Sequence, residues 1–234
     1  MVNLSQSIIL DSKSMKDKLD WCIDTATSFG LEYTETDNID IVVNTNPTIP
    51  TLIVVTNELL DVKQQNILLK TIEEPFINAY YVLVCNVSCL IETLRNRLTF
   101  IKLHEYTKDD LRQLTDNELF VKYADSPDDI ELFNSIDLNK IINISSTIIN
   151  KLDQANFANS LVIKNTISEN PTVFIKVLLD LISDSLRHEF NMTLYRYYLI
   201  TKALQNKFLS GIRYNTDHLL YNYVIDMWGV THGH

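Results

Sequence analysis

The first hundred residues alternate short apolar runs with stretches of helical periodicity, and this alternation limits the fold more than any other feature. The runs are rich in β-branched residues and poor in polar ones, which is typical of strands covered on both faces of a parallel sheet. Strands are predicted at residues 7–10, 39–43, 52–55, 80–85 and 100–103. Helices are predicted between them at residues 16–29, 62–73 and 88–96. This order predicts an α/β layer fold with a parallel sheet.

The strand signal ends near residue 105, and helix-start signals follow. Thr107 and Asp110 have the spacing of a capping box, while Pro127 and Pro171 each follow a capping residue. Helices are predicted at residues 108–123, 127–135, 138–152, 157–168, 171–190, 193–210 and 216–228. The fold class is therefore predicted to be α/β followed by all-α.

Glycine is scarce in this chain, which has 4 in total, and Gly30 is alone before Gly211. Walker A and dinucleotide-binding loops need residues without a Cβ atom to bring backbone N–H groups close to phosphate. The formal net charge of −10 is also opposite in sign to that of proteins that bind DNA by neutralising its phosphates. We therefore expect no nucleotide held by such a loop, and only local or indirect contact with DNA.

The three cysteines, Cys22, Cys85 and Cys89, are too few for a disulfide framework and lack the spacing of a metal site. We interpret them as buried thiols of a protein in a reduced, cytoplasmic compartment. The apolar runs are shorter than the roughly 18 residues of a membrane span, so no contact with a membrane is predicted. The sequence contains no recognisable catalytic triad, carboxylate pair or metal-ligand cluster, and no cofactor or metal is predicted.

Residues 66–75 read N-I-L-L-K-T-I-E-E-P, and residues 94–98 read L-R-N-R-L. Leu68 and Ile72 lie on one face of the predicted helix, and Pro75 prevents its continuation. The two segments resemble signatures of the AAA+ clamp-loader subunits of bacterial DNA polymerase III, in particular the delta-prime type and its gamma/tau relatives. The resemblance implies a AAA+ parallel-sheet domain at residues 1–104, a helical lid at 105–152 and a helical collar for oligomerisation at 153–234.

Both nucleotide-binding motifs of that family are altered in this chain. Residues 11–18 replace the glycine-rich loop without any glycine, and we interpret Lys16 and Lys18 as solvated charges at a helix start. Asn57 and Glu58 follow the strand at 52–55, where paired acids would bind magnesium. The resemblance therefore implies a degenerate, non-hydrolysing member of the delta-prime type rather than of the gamma/tau type.

Two further segments differ from the family or match it loosely. Residues 44–50 contain two prolines where the family has a helix, which predicts a trimmed AAA+ layer. Residues 213–222 resemble the end of the family's collar, and Leu219 and Leu220 within this segment recur at helical spacing with Tyr223 just after it. This apolar face is interpreted either as a surface for a partner or as part of the intramolecular core.

The resemblance assigns one residue a role in chemistry. The family's R-S-R-C arginine is an arginine finger that reaches the ATP site of a neighbouring subunit and stabilises the charge on the transferred phosphoryl group. Arg97 occupies the matching position, with Arg95 as the alternative. The competing interpretation is an arginine paired with a surface carboxylate such as Glu92.

Together these observations predict a subunit that is not an enzyme by itself and that supports ATP-driven loading of the sliding clamp on primed DNA. Its expected partners are gamma/tau-type and delta-type clamp-loader subunits, with mostly indirect contact to the clamp and DNA. Two alternatives stay open: a degenerate AAA+ adaptor with another partner, and a gamma/tau-type ATPase, to which the missing glycines are the objection.

Overall fold

The computed structural model describes residues 4–57, 60–150, 169–209 and 215–232. The chain divides into two compact units, Met1–Ile130 with Leu209–Ile212, and Glu131–Phe208 with Arg213–His234. The first contains a parallel sheet and its helices, and the described part of the second is helical. The predicted class, α/β followed by all-α, is confirmed. The division into three domains stays a prediction.

The sheet of the first unit has five parallel strands in the order β2-β3-β4-β1-β5. Ile9 of β1 is in register with Leu83 of β4 on one side and with Phe100 of β5 on the other. The strands are β1 (Ser7–Asp11), β2 (Glu32–Thr36), β3 (Thr51–Val55), β4 (Ala79–Leu83) and β5 (Thr99–Lys102). The three central strands are nearly continuous apolar runs because both faces of the sheet are covered.

Different helices cover the two faces. The helix α1 (Met15–Phe29) packs through Cys22 and Ala26 on the face that carries Ile8 and Leu10. The opposite face packs against α2 (Ile39–Asn44), α3 (Val62–Glu73) and α4 (Glu92–Arg95). Gly30 ends α1 with a left-handed φ of 65°, and its N–H donates to two carbonyls of the last turn.

The predicted strand at residues 39–43 is wrong, because these residues form α2. Asn38 caps the helix by accepting from the N–H of Asp40, and only Ile39 and Val42 of the β-branched run are buried. The second strand is instead the polar segment Glu32–Thr36 at the sheet edge, which the sequence analysis missed. The connection from β2 to β3 therefore contains a short helix, followed by the loop predicted at residues 44–50.

Two predicted helices are interrupted. The one at residues 88–96 is a 3₁₀ turn, Val87–Cys89, followed by α4. The one at 108–123 splits into α5 (Lys108–Arg112) and α6 (Glu118–Tyr123), because Asn117 caps a new helix start. The capping box predicted at Thr107 and Asp110 is confirmed.

The remaining helices begin at the predicted positions or within a residue of them. They are α7 (Pro127–Ser135), α8 (Leu138–Asn150), α9 (Pro171–His188), α10 (Met192–Leu209) and α11 (Thr216–His232). The helix predicted at 157–168 lies outside the described residues. Within the second unit, α8 packs on α9, and the Tyr197 hydroxyl of α10 donates to the Met227 carbonyl of α11 at 2.9 Å. Leu219, Leu220 and Tyr223 are buried, as expected for the intramolecular core.

Among the helices the structure describes, none combines the length and apolar character that a membrane crossing requires.

Candidate functional site

The sheet has one topological switch point, between β1 and β4. The connection after β1 crosses one face of the sheet through α1, and the connection after β4 crosses the opposite face through α4. In open α/β sheets, ligands bind in the crevice outside the carboxyl ends of the strands at such a point. We call the ends of the strands on this side the carboxyl edge, and their beginnings on the other side the amino edge.

The N-terminus of α1 lies at this crevice, and a carboxylate from a distant segment occupies it. Asp128 accepts from the Ser14 hydroxyl at 3.0 Å, from the Met15 N–H at 2.6 Å and from the Lys16 N–H at 3.3 Å. The N-terminus of a helix attracts anions through its unpaired N–H groups and its dipole. The position suited to a phosphate is therefore filled by a side chain of this protein.

The Lys18 side chain also occupies the crevice, beside the end of β4. Its side chain is only 6% exposed, and its Nζ donates to the carbonyls of Val84 at 3.3 Å and Cys85 at 3.4 Å, just after β4. The interpretation of Lys18 as a solvated charge is wrong, because its stem lies along the packed face of α1 and its ammonium is satisfied inside. Lys16 is exposed, as expected.

The loop before α1 has no geometry for enclosing a phosphate. Only Ser12, Lys13 and Ser14 separate β1 from α1, and Ser14 has an extended backbone with φ −87°. Among the described residues the only positive φ belongs to Gly30, at the far end of α1. The backbone N–H groups of this loop therefore do not curl around an anion, as the lack of glycine predicts.

Two carboxylates, those of Asp17 and Asp128, lie close to the crevice. The Asp17 carboxylate accepts from the Tyr106 hydroxyl at 3.1 Å, and its second oxygen is buried without a hydrogen-bond partner among the described residues. Burial, this hydrogen bond and the nearby charges of Asp17, Asp128 and Asp110 raise the pKa of Tyr106 to about 12. Carboxylates this close to the crevice oppose the entry of a polyphosphate.

The second nucleotide motif provides no metal ligands that the structure describes. The Asn57 side chain donates to the Asp37 carbonyl, so its amide fastens the end of β3 to the segment after β2. Glu58 lies outside the described residues. Within the described ranges, no three Asp, Glu, His or Cys side chains are grouped as metal ligands would be.

Gln65 holds the connection after β4 and was not singled out from the sequence. It is 1% exposed, donates to the carbonyls of Leu60 and Cys89, and accepts from the Ile91 N–H at 2.6 Å. These bonds fix the segment that leads into α4 and toward Arg97. The sequence does contain a signal for this role: Gln65 is a polar residue within the apolar face of a helix, just after a capping box, and buried polar groups need hydrogen-bond partners.

Arg97 lies at the amino edge, away from the switch-point crevice. It precedes β5 and pairs at 2.5 Å with Glu73 in the last turn of α3, while it also donates to the Thr93 carbonyl at 2.6 Å. Its side chain is 40% exposed. Arg95 lies over the Phe100 ring, 5.4 Å from its centre. The carboxylate paired with Arg97 is thus Glu73 of the E-E-P sequence, not Glu92.

The thiols are buried to different degrees. Cys22 and Cys85 are fully buried, and desolvation raises the pKa of each to about 12. Cys89 is half-buried, and burial raises the pKa of its thiol as well. The interpretation as buried thiols is confirmed for the first two and is partly correct for Cys89.

No known protein family matches the sequence. No curated protein matches it either. The structure is similar to that of a DNA polymerase III gamma subunit-related protein from Thermotoga maritima, with 13% sequence identity and a TM-score of 0.42, over 98% of this chain and 96% of that one. A likeness of this degree carries no inference about family or function.

Proposed function

We propose that this chain is a non-catalytic, delta-prime-like subunit of a DNA polymerase III clamp loader of the AAA+ class. In this role it scaffolds the ATP-driven loading of the sliding clamp on primed DNA, and it hydrolyses no ATP itself. The observation that carries the proposal is the filled switch-point crevice, where Asp128 and Lys18 occupy the space a nucleotide needs.

The position of Arg97 supports action on a neighbouring subunit. The crevice of a parallel sheet lies at its carboxyl edge, whereas Arg97 lies at the amino edge beside the end of α3. An arginine there does not serve a site in its own sheet. With 40% of its side chain exposed, it is accessible to the ATP site of an adjacent subunit, where its guanidinium stabilises phosphoryl charge.

The second unit offers a surface for assembly. Met192, Tyr195 and Leu199 form a stripe on α10, and each side chain is at least 40% exposed. The opposite side of α10 is buried through residues such as Leu194 and Tyr197, so this stripe is not needed for the core. Exposed apolar stripes of this kind mark protein interfaces. We propose that gamma/tau-type and delta-type subunits bind here.

The test is recovery of a complex from the cells that produce the protein. Tagged full-length chain is expected to co-purify with gamma/tau-type and delta-type polypeptides, identified by mass spectrometry. Leu199→Glu is expected to reduce their recovery at least tenfold, because it places a charge in the stripe. Val62→Glu is the matched control, since it places the same charge on an exposed apolar residue of α3. Recovery of other partners alone would contradict the proposal and favour an adaptor.

A further inference from the structure

Asp128 connects two segments that are far apart in the sequence. Its contact with the N–H of Met15 spans 113 positions, and one carboxylate serves three donors of α1 and its cap. Ser14, one of these donors, is completely buried, and its hydroxyl also accepts from the Asp17 N–H at 3.0 Å. Asp128 therefore adds to a helix cap that already exists.

The segment that carries Asp128 is itself held in place. Lys108 donates to the carbonyls of Lys122 at 3.1 Å and Ala124 at 2.6 Å, which fixes the end of α6. The Asp129 carboxylate accepts from the Asp125 N–H at 2.6 Å, so this neighbouring acid serves its own turn. Asp128 is the acid of this pair that bonds to α1.

We propose that Asp128 is an internal latch that takes the place of an anionic ligand at α1 and holds the first turn of α7 against the N-terminus of α1. Hydrogen bonds from backbone N–H groups to a carboxylate are charge-assisted and stronger than neutral ones, and the dipole of α1 adds to them. The latch makes the position of this turn independent of any ligand. Without the Asp128 carboxylate, a bound phosphate would be needed to accept the same hydrogen bonds from α1.

The latch also excludes competing anions. A group held on the same folded unit competes intramolecularly with dissolved anions, and the contacts around Asp128 hold it close to its position. A dissolved phosphate must displace this carboxylate and also approach Asp17. This inference goes beyond the clamp-loader proposal and does not depend on it, because it concerns only contacts inside the first unit.

Amide hydrogen exchange on the full chain tests the latch. In Asp128→Ala, exchange at Met15 and Lys16 and in residues 124–130 is expected to rise about 10- to 100-fold, the effect of losing a hydrogen bond to a charged group. Asp116→Ala is the matched control, since it removes the same charge from an exposed position between α5 and α6. Unchanged exchange in either segment of Asp128→Ala would overturn the proposal.

A second variant separates local release from general unfolding. Asp128→Asn keeps the size of the side chain but removes its charge, and it is expected to raise exchange in the same two segments by a smaller factor. The amides of the buried strand Thr51–Val55 serve as the internal reference. A rise in β3 equal to that in the two segments, in both variants, would overturn the latch. Millimolar inorganic pyrophosphate should leave wild-type exchange unchanged, and added protection at Met15 and Lys16 would also overturn it.

Discussion

The two edges of the sheet are built in opposite ways. At the carboxyl edge, Lys18 is buried and Asp128 closes the helix N-terminus, so the chain satisfies its own polar groups there. At the amino edge, Arg97 and Glu73 form a pair in which both side chains are at least 40% exposed. An edge that is filled from inside has no need of a ligand, whereas an exposed charged pair is available to another molecule.

This difference separates two properties that a nucleotide-binding sheet usually combines. The switch-point crevice is filled by Lys18 and Asp128, whereas Arg97 at the amino edge is 40% exposed. In the clamp-loader proposal, such a subunit contributes to the ATP site of a neighbour without having one of its own. Substitutions at the two edges should therefore have separate effects.

The largest effect is expected from Arg97→Ala in a reconstituted complex. Loss of an arginine finger lowers the turnover of the one ATP site it serves by about 10³-fold or more. The steady-state ATPase rate of the complex should therefore fall by the fraction of the total rate that this one site contributes. Arg95→Ala is the control for the alternative arginine. An unchanged ATPase rate in Arg97→Ala would contradict the role assigned to the amino edge.

Lys18→Ala tests the closure of the carboxyl edge. The change leaves a cavity and removes the donor of two carbonyls, so the free energy of unfolding should fall by about 2 to 3 kcal/mol. Lys16→Ala, at an exposed position of the same helix, should change it by less than about 0.5 kcal/mol. Chemical denaturation of both variants provides the comparison. Equal losses of unfolding free energy in the two variants would mean that the Lys18 side chain is exposed to water and does not fill the crevice.

The raised pKa values of the buried thiols lead us to expect that the free energy of unfolding depends on pH. Cys22 and Cys85 have pKa values of about 12 in the folded state, above the ordinary thiol value of 9.0. Above that ordinary value the unfolded chain loses these protons while the folded state keeps them, so stability is lost as pH rises.

Between pH 8.5 and 9.5, below the usual range of tyrosine, the free energy of unfolding should fall by about 1 to 2 kcal/mol. Cys22→Ala should make the free energy of unfolding depend less steeply on pH in this range. A slope that is flat in the wild-type protein would show that the thiols are accessible to water.

The smallest effect is expected from Glu73→Gln. The ion pair with Arg97 is exposed, so its loss should change the free energy of unfolding by less than about 1 kcal/mol. The guanidinium remains, and the ATPase rate of the complex should stay within about twofold of the wild type. A loss of ATPase as large as that of Arg97→Ala would show that the ion pair, and not the arginine alone, is required.

The sequence predicts the parts of this fold that depend on local pattern. Strands β1, β3 and β4 are visible as apolar runs because they are covered on both faces. The edge strand β2 is polar and gives no such signal. The run at residues 39–43 has the composition of a strand, but the cap at Asn38 and the burial of Ile39 and Val42 make it a helix.

Little of the site was predictable from the sequence, because its contacts join distant segments. The lack of glycine predicts that the loop before α1 does not enclose a phosphate, and this loop has only three residues, with an extended backbone at Ser14. Nothing local shows that Asp128 closes this helix, since the contact joins residues 113 positions apart. The sequence around Pro127 indicates only a helix start. The burial of Lys18 is likewise set by the end of β4, which is distant in the sequence.

Binding of labelled ATP to the isolated full-length chain, with magnesium present, tests the central claim most directly. A crevice filled by Lys18 and closed by Asp128 predicts no saturable binding at micromolar nucleotide. Saturable binding with a micromolar Kd would contradict this account, because the nucleotide would then occupy the space assigned to these two side chains.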